Sequence, residues 1–244
     1  MIPESQERLE SHAAVYRPAG TPDEAVLRLD QWWIDKHVQG PRVLELGAAD
    51  GTSTSMLLNK AEELDVVDGS SQYCELVRGR VQDQRVSVIE SLFEDYEPQG
   101  VYDDVVIARS LDYVAEPRIL LGRIASWIRS GGRLHIVVQN AESLHRRLGV
   151  ALGLMPETDY LNEMSLAVGH RRVYSITSIV AECVSAGYAV ETTEGFFLKP
   201  FDFGTLSQSE HDLQSELIPA LNEVGKDLPA DLCSQIYLKC RPVW

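Results

Sequence analysis

At 244 residues, with 44% hydrophobic and 24% charged side chains, the chain suits one large domain or a domain with an insertion, and its apolar content excludes global disorder. The 22 basic against 37 acidic side chains leave a net charge of −15, which disfavours nucleic acid and anionic membranes as partners, because both reward basic surfaces. No apolar run reaches the roughly 18 residues of a membrane helix. The start, MIPESQERLESH, is too polar and acidic for a signal peptide, so a soluble cytoplasmic protein is expected. The cysteines, Cys74, Cys183, Cys233 and Cys240, match no CxxC pattern and no zinc signature; buried thiols and no metal are expected.

Residues 1–20 read as a mobile or lid-like lead. Residues 22–39 read as one helix. Pro22 suits its first turn, Asp23 and Glu24 favour the positive end of its dipole, and Val26, Leu27, Leu29 and Trp33 mark a buried face. From Arg42 the pattern alternates. Strands are expected at 42–46, 64–67, 86–89, 103–107 and 133–138, and helices at 52–60, 74–81 and 116–129, the last stopped by Gly131-Gly132. Residues 141–172 break this rhythm as helix plus loop. A helix at 175–186, a strand at 188–198, an acidic helix at 207–226 and a strand at 233–240 follow. The order predicts an α/β fold, a doubly wound, mostly parallel sheet of seven strands with helices on both faces. It divides into a lid and helix over 1–40 and a main domain over 41–244 carrying the insertion after the fifth strand.

The most informative stretch is VLELGAADGTS, residues 43–53. A strand runs into Glu45-Leu46-Gly47 and a helix begins near Thr52. Glycine at 47 and 51 permits a tight turn and close approach of a ligand to the backbone. The stretch lacks the GKS or GKT ending of a phosphate loop and does not match GxGxxG. Asp50 within the turn would repel a pyrophosphate and suits a cationic ligand, with Glu45 as a second carboxylate nearby. Asp68 ends the next strand about 20 residues after the turn, where a carboxylate can accept both hydroxyls of a ribose. Together these features predict a positively charged nucleoside cofactor.

With VVDGS at 66–70, YDDVVIARSLDYV at 102–114 and IRSGGRLHIVV at 128–138, the chain resembles the class I S-adenosylmethionine-dependent methyltransferases over roughly residues 25–200. Its first motif departs from the family's ExGxGxG at Ala49. The resemblance implies a Rossmann-like domain and S-adenosyl-L-methionine as cofactor. Glu45 and Gly47 would lie beside the methionine moiety, with Ala48 lining the same turn. Asp68, followed by Gly69 and Ser70, would hold the ribose. Leu92 and Phe93 would flank the adenine, and Arg109 and Ser110 would form the floor near the sulfonium. The alternatives are an NAD-dependent oxidoreductase on the same sheet, which Asp68 would serve equally well but Asp50 and the missing glycines would not, and a non-catalytic cofactor-binding partner.

The insertion can roof the space above the carboxyl ends of the strands. It carries SLHRRLG at 143–149 and GHRRVY at 169–174, two His-Arg-Arg runs in an acidic chain. Arg146, Arg147, Arg171 and Arg172 are candidates to fork onto an anionic group of the acceptor, and pairing with the acidic surface is the other reading. On a helix successive side chains turn by about 100°, so at most one or two residues of each run reach a common site. His145 and His170 are the candidate bases. His135, inside a strand, is expected in the core; His12, His37 and His211 are expected in solvent. Tyr16, Trp33 and Tyr113 are assigned to the acceptor walls, with Met155 and Met164 as apolar lining; the adjacent Trp32 and Trp33 cannot face the same way. No NPPY-type tetrapeptide follows the fourth strand, where ARSLDY stands. The expected reaction is methylation of O, or N, on a small natural-product or sugar-like acceptor, as in small-molecule biosynthesis. No nucleic-acid or membrane partner is expected, and a homodimer is compatible with the sequence.

Overall fold

The structure is a computed structural model and describes residues 4–243, without the side-chain surroundings of Glu4, Ser5 and Met164. The expectations for residues 1–3 and for the Met164 side chain lie outside that description. The sheet has seven strands in the order β3-β2-β1-β4-β5-β7-β6. They are β1 (Arg42–Leu46), β2 (Glu63–Asp68), β3 (Val86–Glu90), β4 (Tyr102–Ala108), β5 (Ile128–Gln139), β6 (Tyr188–Phe196) and β7 (Gln235–Pro242). Pairing from β3 through β5 is parallel, and β7 is antiparallel to both its neighbours. Strand order reverses between β1 and β4. In open α/β sheets a ligand crevice forms at such a point, beyond the carboxyl ends of the strands.

Period-2 alternation builds the two cores. Leu44 and Leu46 pack with Leu120, Leu121 and Ile124 of α6 (Pro117–Trp127) and Ile179 and Cys183 of α9 (Ile176–Ser185). Val43 turns to the other face, among Trp33 and Ile34 of α3 (Gln31–His37), Leu57 of α4 (Thr52–Leu57) and Val77 of α5 (Ser71–Arg80). Each such aliphatic side chain contributes about 1.5–3 kcal/mol by leaving water. The four cysteines are buried free thiols. Among the described residues no helix is long and apolar enough to cross a membrane.

Several boundaries differ from the sequence reading, each for a local reason. The lead forms a helix, α1 (Glu4–Val15), anchored on α5. Glu10 accepts the backbone N–H of Ser71 at 2.6 Å and the Ser70 hydroxyl at 3.0 Å, placing a carboxylate at the positive end of α5. The single helix expected at 22–39 is two, α2 (Pro22–Arg28) and α3, broken at Leu29-Asp30, where the fully buried Asp30 turns inward to Arg109. Helix α5 starts at Ser71 because Ser70 caps it, its hydroxyl accepting from the Tyr73 N–H. Strand β5 begins at Ile128, already paired with Tyr102. The Gly131-Gly132 pair lies within an irregularity of that strand, Gly131 at φ 85°. The acidic segment at 207–226 is helical only from Leu213, as a wide turn leading into α11 (Ile218–Lys226). Within 141–172 the helices are α7 (Leu144–Ala151) and α8 (Glu163–Ala167), and the base of this excursion closes where the Ala141 N–H meets the Tyr174 carbonyl at 2.8 Å. A short helix α10 (Phe203–Leu206) follows β6.

Candidate active site

The turn after β1 is shaped by backbone that glycine favours. Gly47 has φ 85° and Gly51 φ 79°, and the Gly47 N–H bonds the Val67 carbonyl at 2.9 Å, fastening the turn to β2. A Cβ built on Gly47 would stand 2.7 Å from the Cβ of Ser110. Asp68, nearly buried at the end of β2, accepts the N–H of Ala48 at 3.1 Å and that of Ser70 at 2.9 Å. Burial pushes its carboxyl up to about 6 against these backbone bonds, so it is mainly ionised at neutral pH. Each oxygen keeps a lone pair.

Beside this turn lies a cavity of about 540 Å³. Gly47, Ala48, Asp68, Gly69, Leu92 and Phe93 line one part of it. Arg109, Ser110, Tyr113, Tyr16, His170 and Arg171 line it too, so most of the expected residues meet in one space. Arg109 contributes little free charge. Its guanidinium makes two 2.7 Å bonds to Asp30, and its Nε donates to Gln235. The Ser110 hydroxyl donates to the Leu46 carbonyl at 2.7 Å, forming the floor.

Other expected residues are elsewhere. Glu45 points to the α4 face, where it accepts the Thr54 hydroxyl at 2.6 Å. Ser70 caps α5 instead of lining the cavity. Asp50 caps α4 through the Thr52 N–H and pairs with Arg80 at 3.1 Å, so its charge is already used and is not presented to a cationic ligand. Trp33 is fully buried in the core, stacked on Tyr237 with centroids 5.1 Å apart, while Trp32 lies edge-on to Tyr237 and Phe196; neither lines the cavity. His145 also lies off the cavity. Its Nδ1 meets the Ser143 hydroxyl at 3.1 Å, and burial pushes its imidazole down to about 3.

The basic runs divide unequally. Arg146 donates to the carbonyls of Thr158 and Tyr160, Arg147 pairs with Asp231 at 2.6 Å, and Arg172 donates to the carbonyls of Val114 and Ala115. These three hold the excursion in place and do not line the cavity. Arg171 does line it, with Nε on the Tyr113 carbonyl at 3.1 Å. Met155 packs against Gly149 of α7 rather than in the cavity.

His170 is held at both ring nitrogens. Its Nδ1 lies 2.5 Å from Asp112 Oδ2 and its Nε2 2.8 Å from the Tyr113 hydroxyl. Asp112 and Tyr113 belong to a 3-10 turn (Leu111–Tyr113) after β4, to which the Arg171 N–H is tied through the Asp112 carbonyl at 3.0 Å. Sequence reasoning missed His12, assigned to solvent. It lines the cavity, with Nδ1 2.9 Å from the Tyr73 hydroxyl, and burial pushes its imidazole down to about 4. A signal was present: Leu9, His12 and Tyr16 recur at helical spacing, and all three line the cavity. Among the described residues no cluster of side chains is arranged to hold a metal.

Glu45 makes the turn sensitive to alkaline pH. Burial, reinforced by Asp68 and Asp30, pushes its carboxyl from 4.5 up to about 8. A carboxyl raised by folding contributes stability that is complete below its unfolded value and lost as pH rises through the folded one. Glu45→Gln should therefore flatten the fall in denaturant midpoint between about pH 5 and about pH 9. An unchanged slope would mean that Glu45 is ionised in the fold.

Comparison with known proteins accords with this geometry. A family described as the methyltransferase domain matches residues 17–193. No curated protein sequence matches the chain. A possible histamine N-methyltransferase from Thermotoga maritima is similar in structure, with TM-score 0.68 and 14% identity over 98% of this chain and 99% of its own. The N-methyltransferase NodS of Bradyrhizobium japonicum, in complex with S-adenosyl-L-homocysteine, gives 0.61 and 14% over 98% and 99%. DhpI, in a complex with SAM and HEP, gives 0.63 and 18% over 98% and 97%. At such identities these structures speak for the fold, and the family match speaks for the rest: the chain belongs to the methyltransferase-domain family, the class I S-adenosylmethionine-dependent methyltransferases.

Proposed function

We propose that the protein methylates a hydroxyl of a small natural-product or sugar-like acceptor bound in the 540 Å³ cavity. The observation that carries this reading is the Asp112–His170 pair at 2.5 Å, an imidazole oriented by a buried carboxylate on the wall of the cavity. A hydroxyl must lose a proton to become a methyl ether, and such a pair can take it. One anionic group on the acceptor would meet Arg171.

The cofactor fits the turn. Gly47 presents bare backbone to the cavity, where a Cβ would collide with Ser110, and Asp68 keeps lone pairs for a ribose diol. Gly47 and Ala48 would hold the methionine end, Gly69 would line the ribose side, and Leu92 and Phe93 would flank the adenine. S-adenosylmethionine, when bound, supplies a methyl group already activated on a sulfonium. The chain aligns the acceptor, excludes water with its apolar and aromatic walls, and removes one proton. An ammonium-bearing acceptor is the second reading, favoured by Asp23, whose carboxylate lines the cavity with no hydrogen bond among the described residues.

Calorimetry with S-adenosylmethionine, S-adenosylhomocysteine and NAD tests the cofactor. Asp68→Ala should weaken S-adenosylhomocysteine binding by about 5–150-fold, the effect of about 1–3 kcal/mol for two ligand donors left unpaired. Unchanged affinity in a folded variant would remove Asp68 from the site. Incubation with small-molecule pools, read for a mass gain of one methylene, identifies the acceptor, and fragmentation of the product tells oxygen from nitrogen.

A further inference from the structure

Five side chains from four parts of the chain form one hydrogen-bonded line along the cavity wall. Tyr73 Oη of α5 lies 2.9 Å from His12 Nδ1 of α1, and His12 Nε2 lies 3.3 Å from Tyr113 Oη. Tyr113 Oη lies 2.8 Å from His170 Nε2, and His170 Nδ1 lies 2.5 Å from Asp112 Oδ2. Counting donors and acceptors gives the line a direction. As a carboxylate, Asp112 accepts, so His170 Nδ1 carries its hydrogen. In the tautomer with Nε2 bare, His170 then offers a lone pair there, which Tyr113 fills by donating. The Tyr113 oxygen accepts from His12 Nε2–H, which leaves His12 Nδ1 to accept from Tyr73. The Tyr73 hydroxyl has a second acceptor, the Tyr16 carbonyl, at the longer distance of 3.3 Å.

This direction leaves His170 no lone pair for an acceptor molecule: Asp112 and Tyr113 occupy both its nitrogens. Tyr113 Oη has two lone pairs, of which one takes the long bond from His12 and the other is open to an acceptor molecule. We infer that Tyr113 Oη, rather than His170 itself, is the atom that takes the proton of the acceptor hydroxyl, passing its own to His170 Nε2. The inference rests on the hydroxyl-acceptor reading above and names the atom the acceptor meets.

The step balances. The acceptor O–H breaks as a new Oη–H forms, and the old Oη–H breaks as Nε2–H forms. The imidazolium so made stands against Asp112. The lone pair left on the acceptor oxygen would form the bond to the methyl carbon of a bound S-adenosylmethionine as the carbon–sulfur bond breaks, its electron pair staying on sulfur and S-adenosylhomocysteine leaving. The proton returns along the same line to water after the product leaves. Passage must be concerted, because burial and the charge of Asp112 raise the Tyr113 phenol above its ordinary 10, so no phenolate stands ready. The other groups facing it are compatible: His12 from α1 is held neutral by burial, Tyr16 and Tyr73 are phenols raised by burial, and Arg171 is bound through Nε to the carbonyl of Tyr113.

Nitrogen-15 NMR of the histidine rings tests the direction of the line in the whole protein, alone and saturated with S-adenosylhomocysteine. His170 should carry its hydrogen on Nδ1 with Nε2 bare, and His12 its hydrogen on Nε2. Tyr113→Phe keeps the ring and removes the hydroxyl. It should leave the His170 tautomer in place, shift the Nε2 resonance to that of an unbonded nitrogen, and lower turnover of the identified acceptor by ~10²–10⁴-fold without weakening S-adenosylhomocysteine. A hydrogen on Nε2 of His170 in the native protein, or full turnover by Tyr113→Phe, overturns the relay. An acceptor methylated on nitrogen instead overturns the parent reading, and it does so without altering the tautomers.

Discussion

His170→Gln is expected to lower turnover by ~10²–10⁴-fold, the worth of a positioned general base, with cofactor affinity unchanged. Glutamine retains hydrogen-bonding capacity beside Asp112 and Tyr113 but cannot hold a proton. The loss should therefore fall on the chemical step and not on assembly of the site. His170 stands apart from the cofactor turn: its partners are Asp112 and Tyr113 after β4, whereas Asp68 and Gly47 are fastened to β1 and β2. The measurement is turnover of the identified acceptor across pH beside calorimetry with S-adenosylhomocysteine. Full turnover with an unaltered pH profile would show that the reaction runs on alignment alone, with an acceptor already ionised or weakly acidic.

The parts legible in the sequence are those governed by local rules. Alternation at 42–46, 64–67 and 133–138 marks strands because a half-buried pleat repeats every second residue, and all three segments lie within strands of the sheet. The same rule puts Glu45 on the face of Val43, toward α4, a consequence the motif resemblance obscured. Illegible were partners distant in sequence. Arginine shows its charge in a sequence but not its acceptor. The carbonyls that occupy Arg146 and Arg172 belong to Thr158, Tyr160, Val114 and Ala115, and every residue carries such a group. Asp50 looked available because Arg80 lies 30 positions further on, at the far end of α5. Helix α1 looked loose because its anchor, Glu10, works on Ser70 and Ser71 of another element.

Gly47→Val should remove cofactor binding while the chain still folds. Two costs fall on folding. A side chain at φ 85° strains the backbone by about 1–3 kcal/mol. A Cβ 2.7 Å from the Cβ of Ser110 and 3.3 Å from the Phe93 ring forces the floor to shift, about 1–3 kcal/mol of overpacking. Their sum, roughly 2–6 kcal/mol, is tolerable to most domains with about 5–15 kcal/mol of stability. The cost to binding is steric: the valine methyls enter the space where the ligand would approach the backbone, and affinity should fall beyond ~100-fold, about 2.8 kcal/mol. Gly51→Ala separates the two effects. It carries similar strain at φ 79°, but its Cβ meets Val77 at an ordinary 3.4 Å and the residue does not line the cavity. That variant should melt earlier yet bind S-adenosylhomocysteine as the native protein does. Circular dichroism reports folding and calorimetry reports binding. A folded Gly47→Val that binds normally would move the cofactor away from this turn.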